Sequence, residues 1–138
     1  MTEEERAAEA ERERQHRISE LKSELREIEE KIKHFEHVLK VLTDSRLKMT
    51  GLKNKLSTEA GTPISTYDID GADEWKGLNY TDGKAAYDEV NDQRTAYDSE
   101  IGTLDSDIEK GVDKANEKIQ ELYRQRNSVL SELRSLGA

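Results

Sequence analysis

The sequence predicts an all-α fold, a long antiparallel helical hairpin of the coiled-coil type, on three observations. Of 138 residues, 33% are hydrophobic, 5% aromatic and 38% charged, a balance that suits long helices burying narrow stripes. Apolar residues in the first half recur in alternating steps of three and four. Between two long helical patterns lies one interruption, which carries the only proline, Pro63, and the only tryptophan, Trp75. The chain therefore reads as a single hairpin domain: helix 2–58, connecting segment 59–81, helix 82–136. Two helices back to back leave much of each stripe exposed, so the core is expected to be completed by partner helices.

Thr2 with Glu5 fits a capping box, and Glu3 and Glu4 add negative charge at the positive end of the helix dipole. Up to His16 the only apolar residues are Ala7, Ala8 and Ala10, and pairs such as Glu9–Arg12, Glu11–Arg14 and Glu13–Arg17 support a solvated helical extension. The seam begins at Ile18. Ile18, Leu21, Leu25, Ile28, Ile32, Phe35, Leu39 and Leu42 form a heptad a/d series. Beyond Leu42 two registers overlap. One continues through Arg46, Met49, Lys53 and Leu56; the other takes Phe35, Val38, Leu42, Met49, Leu52 and Leu56. Overlapping seams widen the apolar face, which places a third helix against this half of helix one.

Gly61 is expected to end helix one with positive φ, and Pro63 to prevent its resumption. Ile64, Tyr67, Ile69, Trp75, Leu78 and Tyr80 make the connection too apolar for a plain linker, so it is expected to pack over the end of the hairpin. Asn79 to Asp82 can cap helix two. Its seam reads Tyr87, Val90, Arg94, Tyr97, Ile101, Leu104 and Ile108, then shifts by one at Gly111, a stutter, into Val112, Ala115, Ile119, Leu122, Arg126, Val129, Leu133 and Leu136. Gly137 suits a C-terminal cap. Folding the helices back on one another pairs positions whose numbers sum to about 140, with Ile18 near Leu122 and Leu39 near Ile101.

Net charge is −9, distributed as zero over residues 1–58, −4 over 59–81 and −5 over 82–138. With no basic stripe to neutralise phosphates, nucleic acid is not an expected partner. No apolar run is long enough to insert in a membrane. The lack of cysteine removes disulfides and thiolate metal sites. The acidic opening Met1–Glu5, with no apolar stretch behind it, predicts no ordinary signal peptide, so any export would use a route that does not read one.

No constellation points to catalysis. His34 and His37 lie three apart on a helix, but at c and f positions facing water, so no metal site is expected. Thr66 to Gly77 has the acids and glycine of a calcium loop at its middle, Asp68, Asp70 and Gly71. It lacks a carboxylate at the first position and the glutamate at the twelfth, and reads as a solvated acidic loop. No phosphate-binding glycine motif and no nucleophile–histidine–acid trio can be assembled. The expectation is a non-enzyme without cofactors. Tyr80, Tyr87 and Tyr97 are candidate anchors for a protein partner, since interfaces are enriched in tyrosine. Trp75, beside Gly77, is placed to plug the end of the hairpin and to offer a docking surface.

A helix–Trp-x-Gly–helix hairpin resembles the WXG superfamily of type VII secretion substrates in bacteria. In length and layout it is similar to the YwqH-like proteins, also called LXG-associated α-helical proteins. The resemblance implies an adaptor that binds the helical N-terminal domain of an LXG-type toxin, alone or with a second small helical protein. It would target that toxin to a type VIIb secretion machine, in the cytoplasm before export or travelling out with its cargo. Trp75 and Gly77 carry over as the motif positions. Phe35, Val38, Leu42, Met49, Leu52, Leu56, Tyr80, Tyr87 and Tyr97 are the expected interface, and without a partner a homo-oligomer is expected. The chain departs from some relatives in lacking a tyrosine followed four residues later by an acid: Tyr87 precedes Asn91, Tyr97 precedes Ile101 and Tyr123 precedes Asn127. The alternatives in other classes are a prefoldin-like chaperone subunit, which would need strands in the connection, and a homo-oligomeric coiled-coil scaffold.

Overall fold

The computed structural model describes residues 2–63 and 77–138. They form two long helices packed against each other as an all-α hairpin. Helix α1 spans Glu3–Leu56 and runs into a π-helical turn, Ser57–Gly61; helix α2 spans Gly77–Ser135. Trp75 and Lys76, and the calcium-like stretch up to them, lie outside the described residues. The chain divides into two compact units, one of Met1–Val41 with Gly111–Ala138 and the other of Leu42–Lys110.

Both cap signals form. The Thr2 N–H donates to Glu5 Oε2 at 2.9 Å and the Glu5 N–H to Thr2 Oγ1 at 3.2 Å, the reciprocal pair of a capping box. At the other end Gly137 has φ +76°, with the Ala138 N–H donating to the Leu133 carbonyl and the Gly137 N–H to that of Arg134. These are the two bonds of a Schellman motif. Gly61 behaves differently from the expectation. It sits in the π turn, and Thr62 keeps right-handed helical angles (φ −63°, ψ −49°) while its N–H donates to the Ser57 carbonyl. The widened turn accommodates these residues without a left-handed residue, so Gly61 does not stop the helix. Helix α2 starts at Gly77, ahead of Asn79–Asp82.

The first unit holds the core. Ile18, Leu21, Val129 and Leu133 form one buried cluster, with Leu25, Ile28 and Leu136 packed against it. Ile32, Ala115 and Leu122 are buried as well. Around this seam Arg17 pairs with Glu132 at 2.8 Å, Arg126 with Glu29 at 3.4 Å, and the Tyr123 hydroxyl donates to Glu36 at 3.2 Å. Ile18 thus meets Val129 and Leu133, and the pairing is displaced by about three helical turns from the one the sequence suggested. The cause is the solvated extension. Glu3 to Glu13 are all exposed, and the first residue to reach α2 is Arg14, whose Nη1 donates to the Leu136 carbonyl. An apolar stripe starting at Ile18 has nothing to bury before that point, so the register is set by Ile18 and the end of α2, not by the first residue.

Glu11 accepts hydrogen bonds from Arg14 and Gln15, which lower its carboxyl to about 2. This pair lies within α1, whereas Arg17–Glu132 joins the two helices. The Arg17 guanidinium holds the Glu132 carboxyl below its usual value. A carboxyl depressed in the folded state adds stability above its unfolded value, near 4.3, that is lost as pH falls through the folded one. Glu132→Gln is therefore expected to lower the thermal midpoint slightly at pH 7, by an amount that shrinks as the pH is taken down through and below the usual carboxylate range. Melts followed by far-UV circular dichroism across that range check this.

The second unit has a mixed seam, with polar residues among the apolar ones. On α2 the residues at least half-buried in this unit are Tyr80, Gly83, Lys84, Tyr87, Asn91, Arg94, Asp98, Ile101, Asp105 and Ile108, and all but Gly83 follow one heptad series. Their steps of four and three are those of Val112, Ala115, Ile119, Leu122, Arg126, Val129, Leu133 and Leu136 carried back unchanged. No stutter occurs at Gly111. The apolar pattern of the sequence places Val90, Tyr97 and Leu104 on the seam, but they are 46%, 62% and 53% exposed. The inward a positions are instead polar and paired. Arg46 reaches Asp105 at 3.0 Å and Glu109 at 3.7 Å, and Arg94 holds Asp98 at 3.2 Å and Asn91 at 3.3 Å.

Candidate partner interface

With a and d turned inward, the g positions of both helices border one side of an antiparallel pair and the e positions the other. The first unit shows this arrangement directly: Arg17 and Glu132 are both g residues, Glu36 and Tyr123 both e residues. Applied to the second unit, the same lettering puts Ser45 and Leu52 of α1 and Gly83, Val90, Tyr97 and Leu104 of α2 at g. The e positions are Thr43 and Thr50 on α1 and Thr81, Asp88, Thr95, Gly102 and Glu109 on α2. The large apolar side chains Leu52, Val90, Tyr97 and Leu104 thus share one side of the second unit, and the e positions carry none.

The packing agrees with the lettering. Leu52, 66% exposed, and Tyr97 line one groove of about 390 Å³ with Leu56, Lys55, Glu59 and Ile101. In contrast, most g positions of the first unit are polar, Arg17, Glu24 and Lys31 on α1 with Lys118, Gln125 and Glu132 on α2, and Val38 is the one large apolar residue among them. Every buried hydrophobic residue among the described residues belongs to the first unit, while Leu47, Leu52, Val90, Tyr97 and Leu104 stand exposed in the second. Moving apolar surface out of water is favourable by roughly 25 cal/mol per Å². A unit with partly exposed ion pairs along its seam and leucine and tyrosine outside has left part of that gain unrealised.

Of the residues named from the sequence, Leu52, Leu56 and Tyr97 come together in this groove. Phe35, Val38, Leu42, Met49, Tyr80 and Tyr87 are half-buried, Phe35 packing edge-on against His34 with ring centroids 5.3 Å apart. Gly77 is the first residue of α2, and Trp75 lies outside the described residues. Val90 and Leu104 belong to the apolar side and had been assigned to the core; carrying the register of Val112–Leu136 back through Gly111 would have found them. Leu47 is exposed on the opposite side and has no such neighbours in the heptad.

The charges flanking the apolar side are ordered. On α1 the c positions outside Leu52 are Lys48 and Lys55; on α2 those outside Tyr97 and Leu104 are Glu100 and Asp107, and all four are exposed. The apolar side therefore has Lys48 and Lys55 along α1 and Glu100 and Asp107 along α2, with Glu59 at the end of the groove beyond Lys55. Among the described residues no group of three or more His, Cys, Asp or Glu is placed to hold a metal ion, and no helix is long and apolar enough to cross a membrane.

No protein-family model matches the chain, and no curated protein or solved structure matches it. The reading of its function rests on its own residues.

Proposed function

We propose that the chain is a non-enzymatic helical adaptor, whose second unit receives helices of a partner along its apolar g side. The observation that carries this reading is the inversion of the second unit, with Asn91, Arg94, Asp98 and Asp105 turned inward and Leu52, Val90, Tyr97 and Leu104 turned out. Such a surface gains most from a partner that supplies an apolar helix face. The partner is the helical N-terminal domain of an LXG-type toxin, and the adaptor promotes that toxin's export by a type VIIb secretion machine. The Trp75-Lys76-Gly77 motif, whose glycine is the first residue of the long second helix, supports this finer identity.

Co-expression with the N-terminal domain of an LXG toxin encoded beside this chain is expected to yield a stoichiometric complex. Leu52→Glu combined with Tyr97→Glu should weaken it about tenfold or more while the helical circular dichroism is retained, because neither side chain is buried within a single hairpin. Trp75→Ala should lower toxin export without melting the hairpin. A complex indifferent to the Leu52 and Tyr97 changes would remove the g side from the interface, and a hexameric barrel would favour the chaperone reading.

A further inference from the structure

The apolar side of the second unit is self-complementary in charge, and this identifies an occupant other than a foreign partner. We propose that, in the chain alone, the g side of the second unit is covered by the same side of a second copy. The two-fold axis runs along the helices, so that α1 of each copy lies across α2 of the other. The inference concerns the face used in the proposed adaptor function but stands independently of the toxin's identity.

Two symmetric ways exist to lay this face on itself, because a closed pair of identical faces is isologous. With the two-fold axis perpendicular to the helices and in the plane of the contact, α1 meets α1. Lys48 and Lys55 would then confront the lysines of the copy, and Glu100 and Asp107 its acids. With the axis along the helices, α1 meets α2 and each basic rim falls on an acidic one. In the second unit Arg46 is level with Asp105, which puts Lys48 of one copy level with a point between Glu100 and Asp107 of the other. Each acid is then about one helical turn away, within reach of a lysine side chain. Lys55 falls about one turn from Glu100. The parallel arrangement also lays Leu52 over Tyr97, the two residues that line one groove within a single copy. The first unit offers no comparable face: Val38 is its one large apolar g residue, Arg17, Glu24, Lys31, Lys118 and Glu132 are charged, and Arg17 is already paired with Glu132. The contact is therefore confined to the second unit, and a toxin helix that uses the same face must displace the copy.

Sedimentation equilibrium of the full chain tests this. The expected result is a reversible dimer in the micromolar range. Tyr97→Glu with Leu104→Glu should raise its dissociation constant about tenfold or more with helix content unchanged. Lys48→Glu with Lys55→Glu should weaken the dimer, and adding Glu100→Lys and Asp107→Lys to the same chain should restore it. A chain that stays monomeric throughout overturns the proposal, as does a dimer insensitive to Tyr97→Glu with Leu104→Glu. Failure of the four-residue exchange to restore association overturns the parallel arrangement. Loss of toxin binding with the dimer intact would count against the adaptor reading alone.

Discussion

Leu21→Ala and Leu122→Ala are each expected to cost about 2–4 kcal/mol of stability and to lower the thermal midpoint by roughly 5–15 °C, the largest losses of any single substitution here. These two are the fully buried side chains of the hairpin, at 0% and 1% exposure. Each loses its transfer free energy and leaves a space that two rigid helices cannot close. The lower half of the usual range applies because a two-helix seam admits water at its flanks. Leu104→Ala, at 53% exposure, should change stability by less than about 0.5 kcal/mol. The contrast is informative because the sequence ranks Leu104 and Leu122 alike: both are leucines on a seven-residue repeat of the same helix. Denaturant or thermal unfolding of the three variants, followed by circular dichroism, measures the difference. Equal losses for Leu104 and Leu122 would return Leu104 to the core and remove the apolar side on which the partner interface is built.

The helical hairpin, its capping box and its Schellman end were legible because each rests on local chemistry. Thr2 and Glu5 satisfy one another's backbone donors, and Gly137 tolerates the positive φ that closes the last turn. The α1 seam from Ile18 to Leu42 was legible for the same reason, since apolar residues and the heptad coincide there. Two things were not. The register between the helices depends on where α1 begins to have something to bury, and a stretch of alanines and charges up to Glu13 is helical without being paired. The orientation of α2 in the second unit was misread because apolarity was taken as the mark of the inward face. There the inward face is chosen by Ile101, Ile108 and the Arg46–Asp105 pair, against the pull of Val90, Tyr97 and Leu104. The candidate site is that disagreement, since a helix oriented against its own hydrophobic pattern has a face left for another chain. Continuing the clear register of Val112–Leu136 would have exposed the conflict from sequence alone.

Replacing the Arg94 set as a whole, Asn91→Leu with Arg94→Met and Asp98→Leu, is expected to stabilise the second unit by about 1–2 kcal/mol, whereas Asp98→Leu alone should destabilise it by about 1 kcal/mol. Arg94 is 25% exposed and Asp98 44%, and the Arg94 Nε is buried without a hydrogen-bond partner. The guanidinium has thus given up water and recovered it only in part, through Asp98 and Asn91. Removing Asp98 strands the charge. Removing all three polar groups ends the desolvation cost and adds apolar contact with the facing helix, and the half-exposure of Asp98 keeps the gain at the low end of what such replacements give. The opposite signs make the test decisive, because three independent surface residues would contribute small terms that add. The same variant bears on function. If the polar interior leaves the second unit weakly closed so that partner helices complete it, the apolar replacement should make the hairpin more stable alone and bring a smaller gain on binding. Thermal unfolding of the chain with and without its partner would then show a higher midpoint free and a smaller shift bound. A variant that is both more stable alone and equally stabilised by the partner would show that the inward charges serve only to hold the register.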